Sequence, residues 1–136
     1  MFNRFMKKSK KGFSLIELLI VIAIIGIIAT IAIPLLLSAR NNAINEKARN
    51  SLRTVVSAEA AYYAANGGYG TLAELRAPGG TQTPYLDARF DNDPADLGQG
   101  ISLSVTVVDP QNYTADANGA TEDYTADQTG EVSIAP

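Results

Sequence analysis

The stretch KKGFSLIELLIVIAIIG, Lys10 to Gly26, decides how the chain is read. Two lysines and a glycine are followed by a run of Phe, Leu, Ile and Val that is broken by one carboxylate, Glu17. Leu18 to Ala39 then carries no charge at all. From Phe13 to Leu37 the apolar run would extend roughly 37 Å as a helix at about 1.5 Å per residue, enough for a hydrocarbon core of about 30 Å. An ordinary secretory signal has an apolar core of only about 7–15 residues. A buried core helix of this length is a poor alternative, because the rest of a 136-residue chain could not cover it on all sides.

Charge is distributed unevenly along the chain. Arg4, Lys7, Lys8, Lys10 and Lys11 precede Phe13 with no acid among them, whereas from Ala77 onward Arg89 stands alone against ten acids. The basic start fits the cytoplasmic flank of a membrane segment and sends the remainder outward. The acidic second half argues against nucleic-acid binding, which needs a basic face. With no Cys and no His, disulfides, Cys or His metal ligation and Ser–His or Cys–His catalysis are excluded. No catalytic residue, cofactor or metal site is expected, and the chain is not read as an enzyme.

Glu17 is the residue that needs explaining, because a carboxylate at bilayer depth costs on the order of 2.5–3.5 kcal/mol. One account is local: Ser14-Leu15-Ile16-Glu17 has the capping-box form, and an acid in a first turn suits the helix dipole. The other invokes processing. Cutting between Gly12 and Phe13 would remove the basic leader and expose an α-amine on Phe13, a cation for Glu17 to pair with in its own or a neighbouring chain. Two further residues disturb the helix. Pro34 has no N–H for the carbonyl of Thr30, and Gly26 lowers helix propensity by about 1 kcal/mol against Ala. Either they produce a simple kink, or the segment from Gly26 to Pro34 unwinds when its surroundings change.

Lys10-Lys11-Gly12-Phe13-Ser14-Leu15-Ile16-Glu17-Leu18-Leu19-Ile20 resembles the cleavage and assembly motif of bacterial type IV prepilins, a motif shared with the pseudopilins of type II secretion. The resemblance is close from Lys10 to Tyr63. It implies cleavage after Gly12 by a prepilin peptidase and N-methylation of the new Phe13 amine. It also implies assembly through Phe13 and Glu17, with melting between Gly26 and Pro34. The implied partners are the chain itself as a helical homopolymer, the peptidase, an inner-membrane assembly platform and membrane lipid. The implied location is a single-pass inner-membrane form with its N-terminus in the cytoplasm, then an extracellular filament. The rival readings are a major pseudopilin and a single-pass membrane-anchored binding protein.

The expected fold is α+β: a long N-terminal helix, half transmembrane and half amphipathic, on a small antiparallel sheet head. The leader occupies 1–12, the membrane and filament-core half of the helix 13–37, and the amphipathic half 38–66. In that second half Ile44, Ala48, Leu52, Val55, Val56, Ala60 and Tyr63 recur at helical spacing, with Asn45 among the polar residues between them. Asn66-Gly67-Gly68 is a stop signal. Residues 67–100 form a connecting region with one short helix capped by Thr71 and Glu74. Residues 101–136 supply three or four strands, with turns at Asp109-Pro110, Asn118-Gly119 and Gln128-Thr129-Gly130. Asp87, Asp91, Asn92, Asp93 and Asp96 fail the EF-hand spacing, because Ala95 stands at a ligand position, and read as turn-forming acids. The tyrosines read as packing residues.

Overall fold

The computed structural model describes residues 12–136. The basic leader, Arg4 to Lys11, lies outside the described residues. Helix α1 runs Leu15–Asn66, and the chain divides into two compact units, Met1–Leu37 and Ser38–Pro136.

The described part of the first unit is the apolar stretch of α1. Every large apolar side chain from Leu15 to Leu37 is between 45 % and 79 % exposed, so this segment buries nothing on its own. It is long and apolar enough to cross a membrane. Pro34 lies within the helix.

The second unit is a helix–sheet pair. The rest of α1 buries Ile44, Asn45, Ala48, Leu52, Val55, Ala58 and Glu59, a stripe at steps of one, three and four. The helix stops at Asn66, where Gly67 takes φ 76° and its amide donates to the carbonyl of Tyr63, the left-handed exit that glycine allows. Helix α2 follows at Leu72–Arg76 with the expected box: the Glu74 amide donates to Thr71 Oγ1, and Glu74 Oε2 accepts from the Thr71 amide. A 3-10 turn at Ala88–Phe90 inserts Phe90 into the core.

Five strands make one antiparallel sheet in sequence order: β1 Ala95–Asp96, β2 Ser102–Asp109, β3 Asn112–Asn118, β4 Asp123–Asp127 and β5 Val132–Ile134. The inner face carries Leu103, Val105, Tyr113, Ala115, Ala117, Tyr124 and Ala126, and the core closes with Leu72, Leu75, Leu86 and Ile101. Alternation along β2 and β3 sets which side chains point inward.

The sequence expectation of three or four strands is corrected to five. The extra one, β1, pairs only Ala95 with Leu103 and Asp96 with Ser102, too short to show a period of two. The β3–β4 connection also differs from a two-residue Asn-Gly turn. Asn118 pairs with Asp123, and residues 119–122 form the loop, closed by the Gly119 amide donating to the Glu122 carbonyl.

Candidate functional site

Gly12 and Phe13 precede the helix and are exposed, Phe13 by 78 %. The scissile bond inferred from the sequence is therefore reachable on both sides. Glu17 lies in the first turn of α1, where its Oε2 accepts from the backbone N–H of Ser14 at 2.9 Å. This is one arm of the capping box. It satisfies an orphan amide of the helix start and leaves Oε1 for another donor. The structure thus joins Ser14 to Glu17. Before any cleavage the Phe13 nitrogen is an amide, and among the described residues the Ser14 amide is the donor that Glu17 meets.

Further along, the hydroxyl of Thr30 donates to the Gly26 carbonyl at 2.8 Å. Thr30 is also the residue whose carbonyl loses its helical donor at Pro34. Gly26, Thr30 and Pro34 therefore form one weak unit, and in the single chain that unit is helical.

In the second unit, three of the acids that fail the EF-hand spacing, Asp87, Asp91 and Asp96, have a local use. Asp87 caps the 3-10 turn and holds Arg89, which keeps its carboxyl below the usual range. Asp91 pairs with Arg76, and Asp96 accepts from the Gly98 amide at 2.8 Å. Among the described residues no group of His, Cys, Asp and Glu gathers as a metal site would.

Two functional-looking polar residues escaped the sequence reading. Asn45, taken there as a surface residue, is buried. Its Oδ1 accepts from the amides of Ala120 and Thr121 at 2.8 and 3.1 Å, and its Nδ2 donates to Thr121 Oγ1 at 2.7 Å. Glu59 is fully buried, with Oε2 accepting from the Gly70 amide at 3.0 Å and Oε1 unpartnered among the described residues. Burial pushes its pKa up to about 7. A signal for both existed: 45, 48, 52, 55 and 59 continue the buried stripe at steps of three and four. Ala60, read as core, is exposed. Tyr69 stacks between Tyr63 and Tyr113 at centroid distances of 4.8 and 4.6 Å, a packed wall beside Glu59.

The N-terminal segment is thus an exposed apolar helix behind a Gly–Phe junction, with an acid in its first turn that accepts from the Ser14 amide. Residues 7–33 match the prokaryotic N-terminal methylation motif. Over 62 residues the chain is 45 % identical to a type IV wide pilus major component, PilA4, of Thermus thermophilus; the match covers 46 % of this chain and 47 % of that protein. Over 63 residues it is 36 % identical to the type IV major pilin protein PilA of Myxococcus xanthus, covering 46 % of this chain and 29 % of that one. The likeness thus spans less than half the length of either relative.

Proposed function

We propose that the chain is the structural subunit of a type IV pilus. A prepilin peptidase removes 1–12 after Gly12 and methylates the Phe13 amine. The mature chain waits in the inner membrane with residues 13–37 in lipid and the head outside, until an assembly platform moves it into a surface filament. The single observation that carries this reading is the exposure of every large apolar side chain from Leu15 to Leu37, a stretch that lies mostly within the methylation motif matched at residues 7–33. Such a surface requires lipid first and other copies of itself afterwards.

The chemistry is association. Glu17 is satisfied twice, first by the Ser14 amide and then, through its free oxygen, by the Phe13 amine of a neighbouring copy. An unpaired carboxylate in a helix bundle is penalised, so a subunit is retained only in the register that brings an amine to it. No step of bond making or breaking is assigned to this chain.

Mass spectrometry of material sheared from the cell surface tests the proposal. It should find this chain as the main component, beginning at Phe13 with a methylated amine. Surface material lacking the chain, together with a failure of protein export in its absence, favours the pseudopilin reading. An intact leader on the mature protein favours a membrane-anchored binding protein.

A further inference from the structure

Helix α1 and the sheet pack as two layers in the second unit, and charge is sorted between them. The outer face of the sheet carries Ser102, Ser104, Thr106, Thr114, Asp116, Asn118, Asp123, Thr125 and Asp127, the residues alternating with the buried set. It contains three carboxylates and no base. Asp116 lies opposite Thr125, so Asp123 and Asp127, two positions to either side of Thr125, are its diagonal neighbours. Like charges at such positions, roughly 7–8 Å apart, weaken a sheet. The side chains of Asp116 and Asp123 find no hydrogen-bond partner among the described residues, whereas Asp127 accepts from the amide and hydroxyl of Thr129; no cation among the described residues pairs with any of the three.

The helix layer has the opposite character. Arg40, Lys47 and Arg53 are exposed on α1 against one exposed acid in the same stretch, Glu46. Arg40 and Arg53 are loosely held, and Lys47, though hydrogen-bonded, has no carboxylate partner among the described residues. Lys47 Nζ donates to the Leu97 carbonyl, Arg53 approaches Asn50 at 3.3 Å and Glu46 at 4.0 Å, and Arg40 has no partner among the described residues.

A homopolymer makes this sorting matter. Loss of the leader removes five of the 11 basic residues and none of the 14 acids, so subunits with an excess of eight acids must be brought together. Repulsion on that scale opposes association unless unlike surfaces meet. A contact between two different faces of one chain is the kind that propagates into an open helical array.

We propose that in the assembled filament the acidic outer sheet face of one copy, through Asp116, Asp123 and Asp127, docks against Arg40, Lys47 and Arg53 on the helix layer of a neighbouring copy. This rests on the pilin reading above. The contact adds to the apolar helix bundle and selects how the heads are placed around it.

Two charge reversals of the full chain test it. One carries Arg40→Glu, Lys47→Glu and Arg53→Glu; the other carries Asp116→Lys, Asp123→Lys and Asp127→Lys. Each alone should lower the yield of sheared filament at least about tenfold. Cellular level, removal of the leader and thermal unfolding of the detergent-extracted chain should stay near those of the unaltered chain. Both reversals in one chain should restore the yield. A milder set, Asp116→Asn, Asp123→Asn and Asp127→Asn, should lower the yield less and cannot be blamed on new charge. The contact is overturned if the unaltered chain forms filaments and either reversal assembles as well, if the combined variant is as poor as its parents, or if neutralising the acids raises the yield. Absence of filament from the unaltered chain sinks the pilin reading itself.

Discussion

Glu59 accepts a hydrogen bond from the Gly70 amide at 3.0 Å, and this bond ties the last turns of α1 to the loop that reverses the chain toward α2. Gly70 is close enough that a Cβ would lie 2.8 Å from Cε1 of Tyr62. The carboxyl is buried with a single donor among the described residues, where the titratable groups around it are Tyr62, Tyr69, Tyr113 and Glu74. No cation among them compensates a charge. Desolvation dominates and pushes its pKa from 4.5 up to about 7.

The sign of the pH dependence follows. A carboxyl whose folded pKa is raised contributes stability that is fully present below the unfolded pKa and lost as pH rises through the folded one. Between about pH 4.5 and pH 7 the head should therefore lose on the order of 3 kcal/mol. Glu59→Gln, which keeps an acceptor for Gly70 without the charge, should flatten this slope and leave the protein more stable at pH 8. Thermal unfolding of the detergent-extracted chain at pH 5, 6.5 and 8 measures it. Superimposable curves for the two proteins would refute the assignment. Asp87, Asp109 and Asp127 have lowered pKa values and act in the opposite direction, in a separate window near and below pH 4.

Asn45 fastens the 119–122 loop to α1, and three bonds depend on one side chain. Asn45→Ala leaves the amides of Ala120 and Thr121 without their acceptor, at about 1–3 kcal/mol each where water does not replace it. For a head of this size that lowers the melting temperature by at least about 8 °C. Gly119→Ala should do similar damage, because its Cβ would meet Asn45 Oδ1 and the Glu122 carbonyl at 2.6 Å. A change below about 2 °C in both variants counts against the staple.

Much of this fold was legible because its signals are repeated. Leu103 and Val105 alternate with hydroxyls, and Thr71 with Glu74 fixes the start of α2. The Gly–Phe junction and Glu17 were legible as a motif, before any geometry. What escaped was polar and buried. Asn45 and Glu59 sit on the correct helical positions for a core, but their residue types argue for surface. Only the partners at Gly70, Ala120 and Thr121, distant in sequence, make their burial tolerable. Strand β1 escaped because two residues carry no period.

Glu17→Ala separates processing from assembly. The Ser14 amide loses its acceptor at an exposed helix start, which weakens the cap by about 1 kcal/mol and leaves the apolar helix intact. The variant should accumulate in the membrane with its leader removed and yield no surface filament. Gly12→Leu should instead keep the leader, since the new side chain would occupy the scissile junction. Shearing and mass spectrometry of both variants decide it. Normal filament from the first, or Phe13 as the first residue of the second, would contradict the roles proposed for Glu17 and Gly12.

The segment from Gly26 to Pro34 is proposed to unwind on assembly, and Thr30 shows why it is the place to do so. Its hydroxyl shares the Gly26 carbonyl within the helix, its own carbonyl lacks a donor at Pro34, and Gly26 adds backbone freedom. Gly26→Ala with Pro34→Ala removes both defects and strengthens the helix by up to about 4 kcal/mol. The stored subunit should tolerate this in the membrane, because a straighter helix of the same apolar character inserts as well. Filament yield should fall, because the head can no longer shift relative to the bundle as subunits close up. A density map of the unaltered filament should show residues 26–34 extended. A continuous α-helix there, together with normal assembly of the double variant, would leave Pro34 as a simple kink.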